Sequence, residues 1–202
     1  MRSQSRKSLP KLFLIATEWT FVNYPTPDKP WGPQKKFQEI RKAGFAGIQT
    51  WPGGGLGQLA REAGLKLVAG MDVESIKTAE EKLRKLKEFG VVHVNVQLCN
   101  HDTPTKDALP IAIDVMKLGD HLGMKPAIEV HRDTCTETPE KAYALADAYQ
   151  KRTGRKLRMN FDHSHPAVIK HLHHNSYVWK DKQVLAMEIK KIWNRQIRNW
   201  KG

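Results

Sequence analysis

Cysteine is scarce in this 202-residue chain: there are two, Cys99 and Cys135. That is too few for a disulfide framework and suits a reducing, cytoplasmic setting. No apolar run approaches the ~20 residues that span a bilayer, so no membrane role is expected. The start, MRSQSRKSLPKLFLIATEW, joins basic residues to an apolar patch at 12–16 that soon meets Glu18. The patch is short for a secretory core, and residues 1–11 read as a flexible arm. No G-x-G-x-x-G follows the first apolar run, and Gly53-Gly54-Gly55 lacks the Lys-Ser/Thr of a phosphate loop. Both absences weigh against nucleotide binding, and the glycine run reads as a turn. Acidic residues are few, 21 against 34 Lys and Arg, for a net charge of +13. Residues 151–202 alone hold thirteen basic and three acidic residues. Such charge speaks to association rather than fold, and a solvated basic helix accounts for it without nucleic acid.

What the chain does contain is a recurring phrase, in which an amphipathic helix ends at a glycine and an apolar run follows. It reads EIRKAGFAGIQTW, LAREAGLKLVAGM, RKLKEFGVVHVNVQL, KLGDHLGMKPAIEV and YQKRTGRKLRMNF, with Gly44, Gly64, Gly90, Gly123 and Gly154 at the junctions. Glycine there takes the left-handed conformation that closes a helix. Strands are expected near 12–17, 45–51, 65–71, 91–98, 124–130 and 156–162, and helices near 33–43, 56–63, 75–89, 105–122 and 138–153. Thr138 before Pro139 is a good helix start, and Thr105 is expected to cap its helix likewise. Alternating strands and helices imply a parallel sheet, either doubly wound or a (β/α) barrel, with strands apolar on both faces.

In a barrel, chemistry gathers at the carboxyl ends of the strands. The expected strands end in Thr17-Glu18-Trp19, Gln49-Thr50-Trp51, Met71-Asp72, Cys99-Asn100-His101-Asp102, Glu129-Val130-His131-Arg132-Asp133 and Asp162-His163-Ser164-His165. Every one is polar or aromatic. Alternation along a strand puts Glu129 and His131 on one side. A carboxylate and an imidazole so placed suit a divalent ion or an acid/base pair. One unit later come Asp162 and His165, and close carboxylates need a cation to offset repulsion and desolvation. The stretch NFDHSHPAVIKHLHH holds five of the nine histidines, and His171, His173 and His174 read as surface groups. Cys99 and Cys135 read as buried free thiols in preference to a zinc site with His101 and His131.

The segments EIRKAGFAGIQTW, GMKPAIEVHRDT and MNFDHSHPAVIKHL resemble the xylose isomerase-like barrel superfamily of sugar phosphate isomerases and epimerases, over about residues 12–177. The resemblance implies a (β/α) TIM-barrel fold and a bound divalent ion, whether Mn, Mg, Co or Zn. Glu129 matches the family's first metal ligand and also its acid/base group, and Asp162 matches the second ligand. His131 and Arg132 fall where relatives contact substrate oxygens, and His165 matches a histidine that in relatives binds substrate or a second metal. His101 loosely matches a metal-binding histidine of the endonuclease branch and is expected here, with the others, to meet substrate, while Trp19 and Trp51 could wall a sugar's apolar face. About six strands are visible, so the barrel reads as incomplete, truncated or altered after Tyr177. Residues 178–202 read as a basic amphipathic helix with Leu185, Ile189, Ile192, Trp193 and Ile197 on one stripe. The expected activity is metal-dependent isomerisation or epimerisation of a sugar or sugar phosphate beside its carbonyl. The alternatives are an inactive partial barrel that binds a sugar or a partner, and an apurinic endonuclease-like enzyme. Open barrel edges would favour a homo-oligomer.

Overall fold

The computed structural model describes residues 12–165. The expected arm at 1–11, the histidines at 171, 173 and 174, and the expected helix at 178–202 lie outside them. The elements alternate as β1 (Ile15–Thr17), α1 (Pro33–Lys42), β2 (Gly47–Gln49), α2 (Leu56–Glu62), β3 (Lys66–Val73), α3 (Ile76–Glu88), β4 (His93–Leu98), α4 (Thr105–His121), β5 (Lys125–Val130), α5 (Pro139–Thr153) and β6 (Met159–Phe161). A short 3-10 helix, Glu18–Phe21, follows β1. The strands form one sheet in the order β1-β2-β3-β4-β5-β6. Pairing is parallel for β1–β2, β2–β3, β4–β5 and β5–β6. A doubly wound sheet reverses its strand order at a switch point. Sequential order is the topology of a (β/α) barrel, here an incomplete one.

Local chemistry accounts for the helix ends. Ser75 accepts from the Thr78 N–H at 3.4 Å, and Thr138 accepts from the Lys141 N–H at 3.2 Å ahead of Pro139. Thr105 departs from expectation: it is the first helical residue, Pro104 holds the cap position, and no side chain caps this end. All five junction glycines have positive φ, between 67° and 90°. The Gly53-Gly54-Gly55 segment is a turn, with Gly55 before the first residue of α2.

The chain packs as two compact units, one ending at Val68 and the next beginning at Ala69. In the first, Phe37 and Ile40 of α1 are buried, as are Ile48 of β2 and Ala60 of α2. In the second, Val94, Val96 and Leu98 of β4 alternate with Asn95 and Gln97, and Ile128 and Val130 of β5 flank Glu129. Those aliphatic side chains are at most 2% exposed, as are Leu83 and Leu86 of α3, Val115 of α4 and Leu145 of α5. Each contributes ~1.5–3 kcal/mol by leaving water. The other face is not apolar, contrary to expectation. Asn95, Glu129 and Asn160 occupy it, and Asn160 Nδ2 donates to Asn95 Oδ1 at 2.9 Å.

The approach to β6 is tied to α4 by charge. Asp120 accepts from Arg155 Nη1 at 2.8 Å and from Arg158 Nη1 at 2.9 Å. Burial alone would raise the Asp120 carboxyl, but the Arg158 and Arg155 guanidiniums bring it below its ordinary value. Asp120→Asn is expected to lower stability by about 1 kcal/mol at pH 7, read by urea unfolding. A depressed carboxylate stabilises the fold above its unfolded pKa of about 3.9, and that stabilisation fades as pH falls through the folded value. The difference between the two proteins should therefore shrink in acid.

Candidate active site

The second unit gathers its polar side chains where β5 and β6 end. The two strands pair Ile128 with Met159, Glu129 with Asn160 and Val130 with Phe161. Continuing that register sets His131 opposite Asp162, and side-chain alternation puts Glu129, His131, Asn160 and Asp162 on one face. The chain is held in place beyond β5 by threonines. Thr136 Oγ1 donates to the Glu129 carbonyl at 2.5 Å, and Thr134 Oγ1 donates to the His131 carbonyl at 2.7 Å. The two hydroxyls lie 3.0 Å apart, and both residues are buried. These hydroxyls satisfy carbonyls at a strand end that has no further ladder to join.

Glu129 is 6% exposed, and its Oε2 is buried with no hydrogen-bond partner among the described residues. A buried carboxylate oxygen without a donor is costly unless a cation or proton meets it. The His131 and His165 rings lie 3.6 Å apart between centroids. His165 Nε2 is 3.5 Å from Asp162 Oδ2. The other Asp162 oxygen accepts from the Ser164 N–H at 2.8 Å and the Ser164 hydroxyl at 2.7 Å. Burial would raise the Asp162 carboxyl, yet the two Ser164 donors, His165 and His131 bring it below its ordinary value. Burial, then the neighbouring His131 ring, hold the His165 imidazole below its own. Asp162 is thus kept anionic and His165 neutral, the states in which both can donate electron pairs to a cation. Arg132 stands at the rim, its Nε 3.7 Å from Asp133 Oδ2.

His101 is drawn into a different group. His101, Asp133 and Glu137 offer donor atoms within 4.8 Å of one another, a spacing compatible with an ion. Lys141 already brings positive charge there: its Nζ donates to Glu137 Oε1 at 2.7 Å and to the His101 carbonyl at 2.6 Å. Sequence reasoning missed Asp133, Glu137 and Lys141 as a cluster. The i,i+4 spacing of Glu137 and Lys141 was a visible signal, but it reads as an ordinary surface pair at a helix start. Trp19 and Trp51 belong to the first unit, where they are 83% and 54% exposed. Near them the Thr50 hydroxyl donates to the Glu18 carboxylate.

The two cysteines, both free thiols, also meet at these strand ends. The neighbouring Cys135 thiol, by hydrogen bonding, holds the Cys99 thiol below its ordinary value. The same hydrogen bond, with burial, pushes Cys135 well up. Cys99 is only half-buried, so the expectation of two buried thiols holds for Cys135 alone.

No family model and no curated protein matches the chain. Solved structures do. A probable 3-DHS dehydratase involved in petrobactin synthesis from Bacillus anthracis aligns with a TM-score of 0.54 at 15% identity, covering 76% of this chain and 64% of that one. A D-allulose 3-epimerase from Methylomonas sp., in complex with D-allulose, aligns with a TM-score of 0.55 at 16% identity over 79% of this chain and 65% of that one. A xylose isomerase-like TIM barrel/4-hydroxyphenylpyruvate dioxygenase fusion protein aligns with a TM-score of 0.51 at 15% identity over 69% of this chain and 25% of that one. The chain spans less than two thirds of the length of the first two, 64% and 65%. What the chain shares with these structures is the fold, a (β/α) TIM barrel, one of them described as xylose isomerase-like.

Proposed function

We propose that this chain carries the metal-binding half of a sugar-modifying active site that moves a proton next to a carbonyl, as a sugar or sugar-phosphate isomerase or epimerase does. The observation that carries the reading is Glu129, a buried carboxylate whose Oε2 meets no donor among the described residues, on the same face as Asp162 and two imidazoles. Two hard oxygen donors beside borderline nitrogen donors fit a divalent ion of the Mn, Mg, Co or Zn type. Glu129 and Asp162 would hold it. When bound, such an ion acts as a Lewis acid that stabilises negative charge developing on a substrate oxygen.

The chain's own residues then have separable tasks. Glu129 is itself buried, so its free oxygen, held away from bulk water, is positioned to accept a proton from carbon. His165, kept neutral, can donate or accept a hydrogen bond at a substrate hydroxyl. His131 is fixed by its Nδ1 contact of 2.5 Å to the Arg132 carbonyl, which leaves Nε2 for substrate. Arg132, at the exposed rim, suits a hydroxyl or phosphate oxygen, and His101 could meet the same substrate from the next loop. Fold neighbours named as a D-allulose 3-epimerase and a probable 3-DHS dehydratase support a sugar-modifying enzyme in general rather than one reaction outcome.

The test uses tag-free protein and its Glu129→Ala/Asp162→Ala variant, titrated with Mn²⁺, Co²⁺, Mg²⁺ and Zn²⁺ by calorimetry. The wild type should bind about one equivalent with sub-millimolar affinity, and the variant should not. Ketohexoses and their phosphates, incubated in D₂O with the loaded wild type, should lose the NMR signal of the C–H next to the carbonyl. Equal metal binding by both proteins would sink the assignment of the ligands. Metal binding without exchange on any ketose would sink the reaction.

A further inference from the structure

We propose that Cys99 and Cys135 form a dithiol site that closes to an intramolecular disulfide when a peroxide or a small-molecule disulfide oxidises the protein. The pair is set by backbone geometry. The Cys135 N–H donates to the Leu98 carbonyl at 3.2 Å, and the Cys99 N–H donates to the Val73 carbonyl at 2.8 Å. The first bond places the two cysteines one peptide unit apart across a hydrogen bond. That suits the roughly 4.4–6.8 Å Cα separation a disulfide bridges. In a parallel pairing the residue after the accepting carbonyl lies beside the donor residue, which sets Cys99 beside Cys135.

Access to the two sulfurs is unequal. Cys99 is half-buried, while Cys135 is 3% exposed within a run from Thr134 to Thr138 that is buried throughout. An oxidant therefore reaches Cys99 first, and Cys135 is placed to resolve it. Cys99, at φ 53°, and Asp133, at φ 60°, are the non-glycine residues with left-handed backbone among those described. Both lie in the loops that carry the thiols, so the pairing is held by backbone that ordinary side chains disfavour.

The chemistry balances in two steps. The Cys99 sulfur attacks the peroxide O–O bond, giving a sulfenic acid and releasing water once its proton is transferred. The Cys135 sulfur then attacks the Cys99 sulfur, the S–O bond breaks, and the hydroxyl leaves with the Cys135 proton as a second water. Two thiols are oxidised and one peroxide is reduced. A disulfide oxidant reaches the same product through a mixed disulfide on Cys99, displaced by Cys135. The closed bridge would join the β4–α4 loop, which carries His101, to the β5–α5 loop, which carries His131 and Arg132. This inference does not depend on the proposed reaction.

The test is peptide mapping of the full chain after mild hydrogen peroxide, and separately after oxidised glutathione, followed by alkylation. The expected product is one cross-linked pair of tryptic peptides, 88–106 joined to 133–141, in a monomer that has lost two hydrogens. Titratable thiols should fall from two to none and return with dithiothreitol. Cys135→Ser should instead accumulate sulfinic acid or a glutathione adduct on Cys99, with circular dichroism confirming that it folds. A wild type that keeps a free Cys135 while Cys99 is overoxidised or glutathionylated overturns the proposal. A product joining two chains, or two thiols that survive both oxidants, overturns it too.

Discussion

Glu129→Gln is expected to raise the stability of the metal-free protein and to abolish its stabilisation by metal. The wild-type carboxylate is 6% exposed, and no donor among the described residues meets its Oε2. A buried charge without a partner costs several kcal/mol, and a neutral amide of the same shape costs less. In EDTA the variant should therefore unfold at higher urea, by about 1 kcal/mol or more. In Mn²⁺ the order reverses. A ligand at about 100 times its dissociation constant adds ~2.7 kcal/mol to a protein that binds it only when folded. The wild type should gain that amount and Glu129→Gln close to none. Urea midpoints by tryptophan fluorescence, in EDTA and in Mn²⁺, give all four values. A variant that is weaker in EDTA and gains as much from Mn²⁺ would make Glu129 a structural carboxylate.

A sign reversal of this kind is how a functional residue differs from a packing residue. Stability is given up in the empty protein to keep a group poised for charge. The threonine contacts fit that view: Thr134 and Thr136 spend their hydroxyls on the carbonyls of His131 and Glu129, fixing the backbone and leaving the side chains free.

Much of this was legible in the sequence because it depends on local chemistry. The helix-Gly-strand phrase needs only periodicity and a residue able to take positive φ, and the helices fall within a residue or two of where it put them. The pairs Glu129/His131 and Asp162/His165 were legible because side-chain alternation and one strand's end suffice to place them. Edge-strand lengths were not. Residues 12–16 are apolar throughout, yet only Ile15–Thr17 is strand, because among the described residues β1 has β2 as its one partner and three paired positions. Leu12 and Leu14 stay exposed, at 82% and 54%. The last strand is likewise limited to the three residues facing Ile128–Val130. Contacts made by loops were not legible either. Lys141 lies 40 positions from the His101 carbonyl it holds, and no periodicity encodes that meeting. The approach of Cys99 and Cys135 depends in the same way on the Cys135 N–H meeting the carbonyl of Leu98, far off in the chain.

Gly119→Ala should be among the most damaging single changes in the second unit, and it should reach the site without touching it. Gly119 lies in α4 where the helix crosses β5. A Cβ there would fall 2.3 Å from Pro126 Cδ and 2.5 Å from Pro126 Cγ. The proline ring has no rotamer by which to move aside. Pro126 is itself tolerated in the strand for a readable reason. Along β5, alternate N–H groups point the same way, and the Ile128 N–H donates to the Arg158 carbonyl at 2.9 Å on the β6 side. Two residues earlier that side has no paired β6 residue, so the missing N–H of Pro126 leaves no ladder bond unmade. Helix and strand must then separate to admit the methyl group, at about 2–3 kcal/mol. Pro126→Ala removes the ring, so the double variant should recover a large part of the loss, a coupling of more than 1 kcal/mol by double-mutant cycle. Glu129 lies three residues along the displaced strand, so Gly119→Ala should also weaken Mn²⁺ binding, and Pro126→Ala should restore it in step with stability. Additive destabilisation by the two substitutions would mean that helix and strand do not meet through this pair.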